Sequence, residues 1–404
     1  MLKHIAHMDL DSFFVSVERL RNSAFNGIPL IIGGTGDRGV VASCSYEARK
    51  FGVRSAMPVK MARQLCPEAI VIRGDSQLYS DYSRMVTEII AESVPVYEKS
   101  SIDEFYIDLS GMDKFFGCWQ MSLELKQKIQ NETGLPISFG LSSSKTVSKI
   151  ATGEAKPAGQ KRVEHGVEKP FLAPLNVQRI PGVGNETYKT LRGLGIRLIQ
   201  TVQEMPIELM GKTLGKAGID IWKKSNGIDN SAVEPYHERK SISTERTFEK
   251  DTIDVEKLDS IMVAMAENLA YQLRKGNKVT GCVTVKIRYS DFNTHTKQLR
   301  IPYTSGDHVL IASVRDLFKS LYNRRLLVRL IGVRFSELVT GSLQINMFED
   351  REEMINLYQA MDRIRNRYGE AAVKRAIGMN AKSIGRGDNP FDGGPPPLLA
   401  NRRS

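Results

Sequence analysis

Two pairs of acids in this chain have the spacing that chemistry needs. Asp9 and Asp11 stand two apart at the end of the apolar run that begins at Ile5, and residues two apart on a strand face the same side. Asp103 and Glu104 occupy the tip of an otherwise apolar hairpin pattern from Tyr97 to Asp108. Carboxylates placed this close repel each other unless a cation lies between them. Either pair alone would more often be a strand end or a turn, meeting water or capping the next helix. Both pairs together suit phosphoryl transfer. That reaction uses two hard cations about 4 Å apart, one to acidify an attacking hydroxyl and one to neutralise a leaving pyrophosphate. Carboxylate oxygens from adjacent strands are appropriate ligands for Mg²⁺.

A second constellation is Ser43, Tyr46 and Arg49, recurring every three residues. If residues 43–51 are helical and Gly52 closes the helix, these side chains lie along one side and can converge on a phosphate chain. Arg offers a bidentate fork and the two hydroxyls are donors. The plainer alternative is a solvated helix face. Phe13 and Phe14 read as core aromatics, and Ser12 is placed to cap the helix they begin.

The elements that position these residues follow from periodicity. Strands are expected at Ile5 to Asp11, around Pro29 to Ile32 and Val40 to Ala42, at Ile70 to Ile72, and at Ile137 to Gly140, with helices from Phe13, through Tyr79 to Ile89, at Trp119 to Asn131 and through Val147. This is an α+β unit. From Pro170 short helices punctuated by Gly and Pro replace it. Between Ser241 and Leu338 strands return, with helices at Leu258 to Leu273 and Val309 to Leu321. Leu357 to Ala376 reads as one further amphipathic helix, and the Gly-Pro-rich end from Gly385 reads as a disordered tail.

A chain of 404 residues is expected to form two to four domains. Its 57 Lys and Arg against 46 Asp and Glu give a net charge of +11, which favours a polyanionic partner. Cys44, Cys66, Cys118 and Cys282 never approach C-x-x-C spacing, arguing against a zinc site or a disulfide framework. With no signal-like start and no long apolar run, a cytoplasmic protein without a membrane association is expected.

Four segments in order resemble the signatures of Y-family translesion DNA polymerases, on the polymerase IV side of that family. They are Met8-Asp9-Leu10-Asp11-Ser12-Phe13-Phe14, Ser43-Cys44-Ser45-Tyr46-Glu47-Ala48-Arg49, Ser101-Ile102-Asp103-Glu104 and Ala155-Lys156-Pro157-Ala158-Gly159. The resemblance implies template-directed, low-fidelity synthesis without proofreading, by transfer from a dNTP to a primer 3′-hydroxyl. It makes Asp9, Asp103 and Glu104 catalytic and assigns two Mg²⁺ ions to them and to the Leu10 carbonyl, with Asp11 the acid most suited to a structural part. Phe13, Phe14, Ser43, Tyr46, Arg49 and Lys156 become nucleotide-binding residues, and Phe14 the steric gate against a 2′-hydroxyl.

It also implies a right-hand architecture of four parts. These are a ferredoxin-like palm (1–11 and 75–165), small fingers (12–74), a helical thumb (166–235) and, after a linker (236–240), an α+β little finger (241–340). Residues 341–404 are then a tail. In the thumb, Gly182 and Gly184 fit a helix-hairpin-helix that approaches DNA phosphates. Arg246, Lys286, Arg288 and Arg300 are the little-finger candidates for phosphate contact. Gln344, Met347 and Phe348, in Gln344-Ile345-Asn346-Met347-Phe348, resemble a peptide that binds the sliding clamp (beta subunit). The expected partners are thus primer-template DNA, dNTPs and the clamp, with the polymerase a monomer. Two rivals stay open: a palm-domain nucleotidyl cyclase, which would leave the glycine turn and basic strands unexplained, and a non-catalytic DNA-binding scaffold, which would not need all the acids.

Overall fold

The central strand of the first sheet is the one that ends in acids. The computed structural model describes residues 2–36, 38–112, 117–235, 238–341, 352–370 and 372–378, and they fall into two units that divide at residues 237/238. The first unit runs β1 (Ile5–Leu10), α1 (Phe13–Arg21), β2 (Leu30–Gly33), β3 (Val41–Cys44), α2 (Tyr46–Lys50), α3 (Val59–Leu65) and β4 (Ile70–Ile72). It continues through α4 (Ser76–Ser93), β5 (Tyr97–Lys99), β6 (Glu104–Asp108), α5 (Cys118–Thr133), β7 (Ile137–Ser142), α6 (Lys145–Ala155) and β8 (Gln160–Arg162). Four helices close it: α7 (Glu168–Leu172), α8 (Asn185–Gly193), α9 (Ile199–Glu204) and α10 (Ile207–Ser225).

Five strands form a sheet in the order β5-β6-β1-β7-β8. β1 pairs antiparallel with both neighbours, Asp9 opposite Glu104 on one side and Ser138 on the other. Because both faces of β1 are covered, its residues are almost all buried. Ala6, Met8 and Leu10 enter a core with Ile89 and Ile90 of α4 and Leu125 and Ile129 of α5. His7 and Asp9 face the other way, where α6 lies: the His7 ring contacts Thr152 Oγ1 at 2.9 Å. α6 can sit this close because residue 140 on β7 is glycine, and a Cβ there would run into the Ser148 carbonyl and the Thr152 nitrogen.

A smaller sheet, β3-β2-β4, packs with α2 and α3 around Ile31, Val41, Cys44 and Ala48. The four closing helices share a core of Leu172, Ile180, Leu191, Ile199, Val202 and Ile221. Two expectations about local structure are corrected here. Ser43 lies on β3, and the helix starts three residues later because Ser45 caps it, accepting from Ala48 N. Ser12 does not cap α1: its φ of 44° puts it in the left-handed region, and Ser16 Oγ donates to the Asp11 carbonyl at that turn instead.

The second unit comprises β9 (Ser241–Thr252), α11 (Val255–Lys275), β10 (Lys278–Tyr289), β11 (Thr294–Thr304), α12 (Asp307–Leu321), β12 (Val328–Thr340) and α13 (Glu352–Tyr368). Its sheet has the order β11-β10-β12-β9, and α11 and α12 cover one face through Leu258, Met262, Leu269, Val314 and Phe318. The stretch expected as a tail is partly folded. Asp362 of α13 takes Arg274 of α11 in two bonds, at 2.6 and 2.9 Å, and Arg365 of α13 donates to Glu267 at 2.6 Å. Tyr358 is buried beside His308. The Arg365–Glu267 pair is buried, the Arg274–Asp362 pair half-buried, and both are hydrogen-bonded, which is what a charged helix face requires in order to pack. Among the described residues no helix is long and apolar enough to cross a membrane, and all four cysteines are free and buried.

Candidate active site and nucleic-acid surface

The ends of β1 and β6 bring the two acid pairs together. Leu10 N–H donates to the Asp103 carbonyl at 3.0 Å, tying the strand ends to each other beside the Leu10 backbone. The tip before β6 is a tight turn in which the Ser100 and Ser101 N–H groups both donate to the Glu104 carbonyl. Ser101 Oγ also donates to Asp103 Oδ1 at 2.5 Å.

Lysines from α6 and just beyond it meet these acids. Lys156 Nζ donates to Asp9 Oδ1 at 2.5 Å and lies 3.8 Å from Asp11 Oδ1. Lys149 Nζ donates to Glu104 Oε2 at 2.6 Å. Burial pushes the Asp9 carboxyl up to about 7; Lys156 works against this, and Asp103 and Glu104 add to it. Burial also raises Asp103, opposed by the Ser101 hydrogen bond and reinforced by Glu104. His7, on the same face, is held neutral by burial and by the nearby Lys149 and Lys156.

Asp11 has a different task from Asp9. It is 2% exposed, and it accepts from Ser138 Oγ at 2.7 Å, from Ala158 N–H at 2.7 Å and from the Tyr46 hydroxyl at 3.1 Å. It thus joins α2, β7 and the loop after α6. Burial and Asp11 together raise the Tyr46 phenol. Arg49 sits over the Tyr46 ring, 4.9 Å from its centroid.

Phe13 and Phe14 part company. Phe13 is 2% exposed in the core. Phe14 is half-buried and stacks on Tyr79 of α4, with centroids 4.3 Å apart and rings 12° from parallel. The Tyr79 hydroxyl in turn donates to buried Glu18 at 2.6 Å. Tyr79, Glu18, Ser138 and Lys149 carried no site role in the sequence reading. Lys149 had a signal, since it stands at i+4 from Lys145 on a helix ending beside Lys156; the others come from distant parts of the chain.

Among the described residues no three acidic or imidazole side chains converge as a ready-made metal cage. The donor set nevertheless suits a hard divalent cation. Asp9, Asp103 and Glu104 offer carboxylate oxygens where β1 ends and β6 begins, and burial, which raises the Asp9 pKa, disfavours a bare carboxylate there, so an added positive charge would be favourable.

Gly182 has a φ of 103° and Gly184 caps the N-terminus of α8, with both residues exposed while Ile180 and Val183 are buried. The turn therefore presents backbone to solvent, as a phosphate contact requires. On the second unit's sheet, Lys286 and Arg288 alternate with buried Val285, Ile287 and Tyr289, so they lie on the face that α11 and α12 leave open. Arg300 pairs with Cys282 in the same alternation, and Arg334, opposite Thr284, joins them unforeseen. Arg246, half-buried on the edge strand β9, stands opposite Ile331, on the face that carries Ile242 and Phe248 into the core rather than on the face of Lys286 and Arg288. Gln344, Met347 and Phe348 lie outside the described residues.

The impB/mucB/samB family matches residues 8–153, and its C-terminal domain matches residues 239–347. A DNA polymerase IV of Dehalococcoides mccartyi is 37% identical over 377 residues, covering 92% of this chain and 97% of that protein. A DNA polymerase IV of Treponema denticola is 38% identical over 81% of this chain and 83% of its own length. Among solved structures, a Y-family DNA polymerase chimera of Dbh and Dpo4 superposes with a TM-score of 0.74 at 26% identity, covering 84% of this chain and all of that one. DinB from Sulfolobus solfataricus superposes with a TM-score of 0.59, also at 26% identity over 84% of this chain.

Proposed function

The chain belongs to the Y-family DNA polymerases of the polymerase IV type and is a DNA-directed DNA polymerase that depends on divalent metal, and we propose that it extends primers past damaged template bases with low fidelity and without proofreading. The observation that carries the reading is that Asp9 stands opposite Glu104 with Asp103 next to it, where β1 ends and β6 begins, and that Lys149 and Lys156 pair with Glu104 and Asp9. In this reading Asp9, Asp103, Glu104 and the Leu10 carbonyl hold two Mg²⁺ ions. When bound, the ions acidify the primer 3′-hydroxyl and offset the charge of the leaving pyrophosphate.

The chain's own groups do the rest. Arg49, Tyr46 and Lys156 bind the triphosphate, with Ser43 contributing a hydroxyl from the adjoining strand rather than from the helix. Lys156 and Lys149, which now neutralise Asp9 and Glu104, are free to turn to phosphate oxygens once the acids have other partners. Phe14, held flat by Tyr79, fills the space beside the sugar's 2′ carbon, and buried Phe13 supports it from the core.

The sheet of the first unit acts as palm, with its flanking helices (1–11 and 75–165). Residues 12–74 act as fingers, 166–235 as thumb and 241–340 as little finger. The Gly182–Gly184 turn and the Lys286, Arg288, Arg300 and Arg334 face hold primer-template DNA through its backbone, which positions without reading sequence.

Extension of a primed template in Mg²⁺, with Asp103→Ala alongside, tests the reading. The variant should fall below about a thousandth of the native rate while binding DNA within about twofold. Substantial extension by it would remove the metal assignment. Gln344 to Phe348 are proposed to dock on the sliding clamp of a monomeric polymerase, so deleting them should abolish clamp stimulation and leave unaided synthesis unchanged. Equal stimulation before and after the deletion would reject the docking.

A further inference from the structure

The loop that carries Lys156 is held from behind by a second lysine. Lys126 belongs to α5, on the opposite face of the sheet from α6, and is 9% exposed. Its ammonium donates to the Ala158 carbonyl at 2.6 Å, to Gln160 Oε1 at 2.8 Å and to the Gly159 carbonyl at 3.4 Å. Among the described residues none of these partners is a carboxylate. An ammonium buried against neutral oxygens costs free energy that an apolar residue there would not. What the three bonds hold is therefore informative.

They hold a turn under constraint. Ala158 has a φ of 51°, a left-handed conformation that a non-glycine residue keeps only when its surroundings impose it. Gly159 has no room for a Cβ, which would strike the Ala155 carbonyl. From this turn the Ala158 N–H reaches Asp11 Oδ2 at 2.7 Å, and Lys156, two residues earlier, reaches Asp9 at 2.5 Å. The same short loop thus faces the acids on one side and Lys126 on the other.

We propose that Lys126 is a positioning residue for nucleotide addition, fixing from outside the turn through which Lys156 and the Ala158 N–H meet the site. The inference rests on the reading of Lys156 as a triphosphate contact. Its effect should fall on affinity for the incoming nucleotide, because the carboxylates themselves keep their strand-end places.

Single-turnover addition on primed DNA, with the full chain, separates the alternatives. Lys126→Met keeps the unbranched stem, one atom shorter, and removes the charge and the donors. The dissociation constant for dNTP should rise about five- to tenfold, with the constant for primer-template DNA unchanged within about twofold. Lys156→Ala should raise it as well, and the double variant should stay within about twofold of Lys156→Ala alone, since the brace acts through that loop. Exposed Gln160→Ala, which deletes one acceptor, should shift nucleotide affinity in the same direction by less, and it serves if Lys126→Met does not fold. Unchanged nucleotide affinity in Lys126→Met or, failing that variant, in Gln160→Ala overturns the proposal. So does an additive double variant, or a loss of melting temperature and DNA binding without a selective effect on the nucleotide. If Lys156→Ala alone leaves nucleotide affinity unchanged, the fault lies in the reading of Lys156, and the brace falls with it.

Discussion

Around β1 the cations point inward: Lys156 and Lys149 lie 2.5 and 2.6 Å from Asp9 and Glu104, and Lys126 is buried under the loop that carries Lys156. On the second unit's sheet they point outward. The Arg300 side chain is 82% exposed beside Glu337, and Lys286 and Arg288 have local partners in Glu245 and Thr294. The difference separates two uses of one kind of charge. A cation held between elements against fixed acids, as Lys156 and Lys149 are at 22% and 32% side-chain exposure, sets a geometry closely. An exposed one adds affinity for a polyanion, is screened by salt, and tolerates a neighbour's loss.

Substitutions on the two sides should therefore differ in kind. After loss of an acid at the strand junction, the largest effect is expected at Phe14, a residue fixed like the inward cations. Phe14→Ala should lower discrimination against ribonucleotides by about a hundredfold, because a removed wall no longer excludes a 2′-hydroxyl. Deoxynucleotide addition should fall less. Parallel incorporation assays with a melting curve check this, and an intact fold with unchanged sugar selectivity would sink the gate. On the outward side, Arg300→Ala should weaken DNA binding only a few-fold and reduce the slope of log affinity against log salt by about one. A changed dNTP affinity with an unaltered salt slope would erase the contrast between the units.

The smallest effect concerns pH. The Asp9 pKa is raised from 3.8 to about 7, so the folded protein binds that proton more tightly than the unfolded chain does. The stability it contributes is present below the ordinary carboxylate range and is lost as pH rises through about 7. Mg²⁺ must displace the proton below that point and relieves bare repulsion above it. Saturating Mg²⁺ should raise the Tm by a few degrees more at about pH 8 than at about pH 6. An equal gain at both values would mean that Asp9 does not titrate in this window.

Much of this was legible in the sequence. The apolar run from Ile5 and the alternation from Cys282 to Tyr289 each marked a strand inside its sheet, and the two acid pairs together pointed to metal-assisted phosphoryl transfer. What misled was local. Ser43, Tyr46 and Arg49 have a helical spacing, yet Ser45 caps the helix and leaves Ser43 on a strand. Arg246 carries the same charge as Lys286 and Arg288, and only its pairing with Ile331 shows that it stands on the other face of the sheet. The amphipathic pattern from Leu357 gave the helix α13 but not its place, so the whole stretch after β12 read as tail. The ion pairs that fold α13 onto α11 join positions 88 and 98 residues apart, beyond the reach of any local pattern.

The sequence by itself determined the element types, the acids and the family resemblance, since these depend on residue identity and short-range spacing. Tertiary structure alone decided which partner each charge takes. Asp11 and Asp9 are two residues apart and chemically identical, but Asp11 is tied by Ser138, Tyr46 and Ala158 while Asp9 meets only Lys156 among its described side-chain hydrogen bonds. Those partners lie 35 to 147 residues away along the chain. No local pattern can rank such contacts, because their energies depend on burial and distance, and both are set only when the sheet has closed.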